Sequence, residues 1–354
     1  MSRATYNDQV NIDNEKRLRK LLRELPSFCR DFFRGIEPTT SSRTRIAYAY
    51  DLRIFFRFLE EEYPELSPGP IKSWPLSVLD QITLSMLEDY IDYLKLYESR
   101  NKQVYTNDER GRTRKTASIR TFYKYFYQKQ LIENNTASLL TIPKKHDKAI
   151  IRLEPDEVAR LLDAVEQGDK LTKSQQKYHN KTKIRDLALM TLLLGTGIRV
   201  SECVGLDITD LDFDTNGMKI HRKGGAEVIL YFGEEIRNAL LDYLDERELI
   251  MPKEGSEDAL FLSMQRSRLS VRSVENLVKK YSRTVTSLKK ITPHKLRSTY
   301  GTQLYRETGD IYLVADVLGH RDVNTTRKHY AAMEDERRRM AAGKVQLREP
   351  KPEK

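Results

Sequence analysis

Cysteine is scarce in this chain of 354 residues: Cys29 and Cys203 are the only two, far apart and outside any CxxC pair. A disulfide framework and the cysteine-rich zinc sites are therefore excluded. No stretch approaches the ~18 consecutive apolar residues of a membrane-spanning helix, so no membrane segment is expected. The opening residues, Met1 to Asp8, lack the apolar core of a secretion signal, and a cytoplasmic location is expected. Long runs of like charge, the mark of a disordered chain, are absent, and no internal repeat is visible. Two familiar ligand motifs also fail. The third glycine of a GxGxxG dinucleotide loop would fall at Val200. The acidic run Asp207, Asp210, Asp212, Asp214 has Thr215 and His221 where a calcium loop needs glycine and glutamate, and it reads instead as the polar face of a hairpin strand.

What remains is basic and modest in apolar content. Hydrophobic residues make up 39% and charged residues 32%, enough for two small cores. The net charge of +10 favours a polyanionic partner without identifying one. Residues 10–35 carry Leu18, Leu21, Leu22, Leu25, Phe28, Phe32 and Phe33 at helical spacing, and further amphipathic helices are expected over 43–62 and 83–97. Pro64 to Pro75 forms a Pro/Gly-rich connection. Residues 98–115 read as a polar, basic loop ending in Arg110-Gly111-Arg112-Thr113-Arg114-Lys115. Behind it a helix interleaves aromatic residues with Arg120, Lys124 and Lys129. The first domain, 1–145, is thus expected to be a helical bundle with one basic flank.

A charged linker over 146–152, following Pro143-Lys144-Lys145, separates it from a second domain at 153–333. There Glu154–Val165 and Ile184–Leu194 predict helices, divided by a polar, basic insertion at 169–183. Residues 211–232 switch to the period of strands, with Asn216-Gly217 as a hairpin turn. Helices resume over 234–248 and from 270 onward. Residues 334–354 form a C-terminal tail. The fold class expected is mainly α with a small antiparallel β-sheet.

Four islands in the second domain carry chemistry. Arg199 follows Gly195-Thr196-Gly197-Ile198 in an apolar setting, where a charge needs a partner; Glu202, three residues on, supplies one while leaving other N–H groups for a phosphate. Lys223 lies in Arg222-Lys223-Gly224-Gly225, a glycine-rich turn that can approach a ligand backbone. Thr292-Pro293-His294-Lys295-Leu296-Arg297 opens a helix, placing His294 and Arg297 on one face near an N-terminus suited to anions. Residues 271–297 hold eight basic residues, including Lys279, Lys280 and Arg283, against the single acid Glu275. Leu318-Gly319-His320 closes a short helix, and Asn324-Thr325-Thr326 caps another bearing Arg327, His329 and Tyr330. Among 19 tyrosines, Tyr300, Tyr305 and Tyr312 compete with Tyr330 on spacing alone.

Taken in order, Gly195-Thr196-Gly197-Ile198-Arg199-Val200-Ser201-Glu202, the turn lysine, His294-Lys295-Leu296-Arg297, Leu318-Gly319-His320 and the following tyrosine resemble the signature of the tyrosine recombinases, the lambda-integrase family. The resemblance covers the whole chain. It implies a helical core-binding domain that clamps DNA over 1–145 and an α+β catalytic domain over 153–333. By the same resemblance Tyr330 matches the nucleophile, Arg199 and Arg297 the clamp on the scissile phosphate, and Lys223 the general acid. His294 and His320 match positions that bind phosphate oxygens and manage protons. The implied reaction proceeds through a 3′-phosphotyrosyl intermediate and a Holliday junction, with no cofactor: neither metal nor ATP.

Double-stranded DNA is the implied partner, bound by a homotetramer, with an accessory protein left open and the tail over 334–354 coupling protomers. Arg112, Arg114, Lys115, Arg120, Lys124, Lys279, Lys280 and Arg283 are the candidate DNA-binding residues. The insertion at 169–183 and the Ala226-Glu227 that follow the turn depart from the usual pattern. The insertion makes the chain look closer to single-protein Xer recombinases of the XerS type, and chromosome dimer resolution is the expected role. Integration or transposition of a mobile element, a type IB topoisomerase and a non-catalytic DNA-binding regulator remain the competing readings.

Overall fold

The computed structural model describes residues 5–66, 69–98, 102–142, 151–222, 225–320 and 322–323. The chain divides into two compact units, Met1–Lys148 and Ala149–Lys354.

The N-terminal unit is built from α1 (Tyr6–Leu22), α2 (Cys29–Ile36), α3 (Ser42–Glu62), α4 (Val78–Gln81), α5 (Leu84–Tyr93), the strand pair β1 (Leu96–Glu98) and β2 (Val104–Thr106), and α6 (Glu109–Gln128). The single helix expected over 10–35 is two helices. Pro26 lies in the break, where a proline has no N–H to continue the ladder. Beyond α5, Leu96–Glu98 pairs antiparallel with Val104–Thr106, where the sequence suggested helix and then loop. The supposed loop is also shorter than expected: α6 starts seven residues before Thr116, capped by Asp108, whose carboxylate accepts from the Gly111 N–H.

Aromatic rings fill the core. Phe122 of α6 meets Phe32 edge-on at 5.0 Å and Phe126 at 5.1 Å, and Phe28, Phe56 and Trp74 extend the cluster. The indole N–H of Trp74 is satisfied by the Gly69 carbonyl at 2.9 Å. Such edge-to-face pairs add about 0.5–1.5 kcal/mol each beyond the area they bury.

The C-terminal unit comprises α7 (Pro155–Gln167), α8 (Lys173–His179), α9 (Lys183–Thr196), α10 (Val200–Gly205), the sheet β3 (Leu211–Asp212), β4 (Gly217–His221) and β5 (Glu227–Tyr231), then α11 (Glu234–Glu248), α12 (Val271–Val285), α13 (Pro293–Thr308) and α14 (Ile311–Leu318). The three strands run antiparallel in sequential order, with Met218 opposite Leu230 and Ile220 opposite Val228. Helix α9 is the centre of the unit. It packs against α7, α11 and α13, and Leu189, Leu192 and Leu193 are buried.

The insertion over 169–183 is more ordered than its polarity suggests. It carries α8, whose N-terminus is closed by a reciprocal Thr172–Gln175 capping box. Its Leu171 and His179 are buried. The Tyr281 hydroxyl donates to Asp186 Oδ2 at 2.9 Å, so its oxygen accepts from His179 Nδ1 at 3.1 Å. That requires the Nδ1–H tautomer. Thr182 and Arg185 donate to the same carboxylate. One buried acid thus ties the insertion to α9 and α12.

Candidate active site

Helix α9 ends where Gly197 takes a left-handed conformation, φ +63°. A side chain there would be strained, and its Cβ would lie 2.4 Å from the Tyr300 ring. The turn places Arg199 at the N-cap of α10, where its backbone N–H donates to Glu202 Oε2 at 2.8 Å and its Nη1 to Glu202 Oε1 at 2.7 Å. Glu202 is nearly buried while the Arg199 side chain is about one-third exposed, so the carboxylate aims the guanidinium from beneath. The third bond of Arg199, from Nη2, reaches the Gly319 carbonyl at 3.0 Å.

Arg297 comes to the same place from α13. It is buried; its Nη1 donates to the Gly197 carbonyl at 2.6 Å and its Nη2 to the Leu318 carbonyl. Both arginines therefore converge on consecutive carbonyls at the end of α14. That end is a Schellman closure: Gly319, at φ +62°, donates to the Asp316 carbonyl at 2.8 Å, and His320 donates to that of Ala315 at 2.8 Å. His320 is thereby fixed just beyond the clamp. His294 is exposed in the first turn of α13, after Pro293.

A third arginine joins them that sequence reasoning passed over. Arg222, at the end of β4, donates from Nη1 to the Asp316 carbonyl at 3.1 Å and from Nη2 to the Val317 carbonyl at 2.8 Å. Its position beside Lys223 was the available signal. Lys223 and Tyr330 lie outside the described residues, as do the capped helix proposed from Asn324-Thr325-Thr326 with Arg327 and His329, the tail over 334–354, and residues 143–150 of the linker region.

The competing tyrosines sit in three different settings. Burial pushes the Tyr300 phenol up, away from the phenolate a nucleophile needs. Tyr305 is buried against Val314 and Leu318, and Tyr312 is exposed on α14. Cys203 is fully buried, and burial pushes its thiol up. Among the described residues, no group of three His, Cys, Asp or Glu side chains could hold a metal ion. The acidic run is divided among local duties. Asp207 accepts from Arg268, Asp210 lies 3.7 Å from His221, and Asp212 closes the strand turn by accepting from Asp214 and Thr215. It is more a set of caps than one strand face.

The candidate DNA-binding residues fall into two groups. Arg120 is half-buried, and Lys124, Lys279 and Arg283 are exposed. Arg114, though half-exposed, forms a two-armed ion pair with the buried Asp51. Lys115 is buried and donates to Asn107 at 2.6 Å. Lys280 lies 3.5 Å from Asp186 and 3.9 Å above the Tyr281 ring, and Arg112 is half-buried. Within the basic flank expected of the first domain, Lys115 is turned inward by Asn107, eight residues before it; on α12, Lys280 is turned toward Asp186 of α9.

Residues 151–337 match the phage integrase family. A tyrosine recombinase XerC of Caldanaerobacter subterraneus subsp. tengcongensis is 34% identical over 318 residues, covering 87% of this chain and 82% of that protein. The fold is similar to that of the XerH site-specific recombinase in a pre-cleavage complex with its difH substrate, with TM-score 0.60 and 21% identity over 86% of this chain and 80% of the other. It is also similar to a lambda integrase dimer bound to a COC′ core site, with TM-score 0.60 and 16% identity over 86% and 94%. With Arg199 and Arg297 of the motifs brought to one helix end, the chain belongs to the phage integrase family, as a Xer-type tyrosine recombinase, an enzyme that cleaves and rejoins DNA strands.

Proposed function

We propose that the pocket exchanges strands between two DNA duplexes with Tyr330 as nucleophile. The observation that carries this reading is the convergence of Arg199 and Arg297 on the adjacent carbonyls of Gly319 and Leu318, beside His320. A scissile phosphate brings its own oxygens to guanidinium groups already held in place. In the step proposed, the Tyr330 oxygen bonds to phosphorus and the bond from phosphorus to the 5′ oxygen breaks. The phenol proton passes to His294, and Lys223 gives a proton to the leaving oxygen. A 3′-phosphotyrosine and a free 5′-hydroxyl result. The 5′-hydroxyl of a partner strand reverses the step, so bond energy is conserved without ATP.

A phenol of pKa about 10 is a weak nucleophile at neutral pH. Fixed cations favour both its ionised form and the extra charge of the pentavalent transition state. Each preorganised group of this kind contributes roughly 10²–10³ in rate, the electrostatic work a metal ion does elsewhere. On DNA the reading calls for a homotetramer working through a Holliday junction. The N-terminal unit would clamp the duplex with Arg120 and Lys124, and Lys279 and Arg283 would contact phosphates from α12. Resolution of chromosome dimers in the cytoplasm is the role we favour, because the relatives are Xer proteins along most of their length.

The test is covalent capture of a nicked duplex. Tyr330→Phe should abolish the protein–DNA adduct and leave duplex binding within a few-fold of the parent. An adduct that survives the substitution would move the nucleophile to another residue.

A further inference from the structure

Arg222 is held from two directions. Its backbone closes the β4–β5 turn, donating to the Ala226 carbonyl at 2.7 Å and accepting from the Gly225 N–H at 3.2 Å. Its side chain crosses to another element and caps the Asp316 and Val317 carbonyls of α14. Those are among the last carbonyls of a helix, which have no partner within it and carry the negative end of its dipole. Gly319 makes the contact available: a Cβ there would lie 2.4 Å from Arg222 Nη1 and 2.6 Å from its Cζ. The guanidinium therefore lies flat against a residue that has no side chain. The carbonyls on either side of this contact belong to the same run, since Leu318 accepts from Arg297 and Gly319 from Arg199. The next residue in the chain is Lys223.

We propose that Arg222 is a positioning residue for Lys223: by docking the β4–β5 turn on the end of α14, it sets the general acid and the phosphate clamp in one frame. This rests on the reading of Lys223 as the acid that protonates the leaving 5′ oxygen. General acids contribute on the order of 10²–10⁴ in rate, and only when their geometry is right. A turn that swings freely loses part of that factor while the two clamping arginines keep theirs.

A leaving group that needs no proton provides the test. Single-turnover cleavage is measured on two nicked duplexes, one ordinary and one with sulfur replacing the bridging 5′ oxygen at the scissile phosphate. A thiolate leaves without protonation, so loss of acid catalysis is masked in the sulfur substrate. Arg222→Ala should slow cleavage of the oxygen substrate roughly 10- to 100-fold and cut the sulfur substrate within about threefold of the parent rate. Lys223→Ala should show the same pattern with a larger defect on oxygen. Arg222→Lys keeps a charge but cannot span two carbonyls, and should fall between parent and Arg222→Ala; it carries the comparison if the alanine variant does not fold.

Equal slowing of an Arg222 variant on both substrates would make its role electrostatic or structural and overturn the proposal, as would parental rates on both. If sulfur rescues Lys223→Ala but not Arg222→Ala, positioning by Arg222 fails alone. If it rescues neither, Lys223 is not the acid and the proposal falls with that assignment.

Discussion

In the N-terminal unit, Arg45 is buried between Glu15 and Glu37, and Arg114 grips the buried carboxylate of Asp51. In the C-terminal unit, Arg222 and Arg297 are bonded by main-chain carbonyls at the end of α14, and Arg199 by one such carbonyl and Glu202. A carboxylate cancels the charge it meets, whereas a carbonyl dipole orients a guanidinium without neutralising it. The first arrangement closes a fold. The second aims each guanidinium at one helix end by bonds that do not depend on the ligand, Arg199 with the Glu202 carboxylate behind it. Similar residues thus do different work according to their acceptors.

The contrast would be broken most directly at Arg297. Arg297→Ala should lower single-turnover cleavage by about 10²–10³ while duplex affinity changes a few-fold, because the group acts mainly in the transition state. Arg297→Lys should recover little of the rate, since one ammonium cannot reach the Gly197 and Leu318 carbonyls together. Equal losses in binding and cleavage would make Arg297 an ordinary phosphate contact.

The N-terminal pairs should fail in stability instead. Arg114→Ala leaves the Asp51 carboxyl buried, where burial already outweighs Arg114 and holds its pKa up. Because the Arg114 side chain is half-exposed, the loss should sit near the low end of the roughly 3–5 kcal/mol typical of a broken buried pair. Urea unfolding would measure it. An unchanged midpoint would show that water replaces the arginine at no cost.

The smallest effect is expected at His179. Burial, with Lys280 and Lys183 nearby, pushes its imidazole below the usual histidine range of about 6.5, against the opposing pull of Asp186 and the Glu166 carbonyl. The unfolded chain therefore takes up this proton first. Stability from His179 is fully present above about pH 6.5 and declines as pH falls through that value toward the lower folded pKa. His179→Gln should narrow the difference in urea midpoint between pH 7.5 and 5.5. A difference as large as the parent's would place the titration elsewhere.

Much of the architecture was legible in residue order. The spacing of Phe28, Phe32 and Phe122 marked a core face, and Asn216-Gly217 marked the turn before β4, because these signals are local and periodic. The Gly197–Glu202 segment and Gly319 were readable for a similar reason: helix ends have few chemical solutions. The break at Pro26 and the β1–β2 pair were missed, since a strong apolar period masks a short interruption and three-residue strands carry little pattern. Lys115, Lys280 and Arg222 were misjudged or overlooked for another reason. Their acceptors are Asn107 at the start of the same helical region, Asp186 on α9, and the carbonyls of α14 some 95 residues away.

By itself, then, residue order determined the helical character, the family signature and which side chains could serve a phosphate. Only the tertiary structure decided which cations turn inward and which are aimed together at one helix end. That depends on the acceptor each one meets, and main-chain carbonyls, present at every residue, leave no trace in a sequence until the fold gathers them at one helix end.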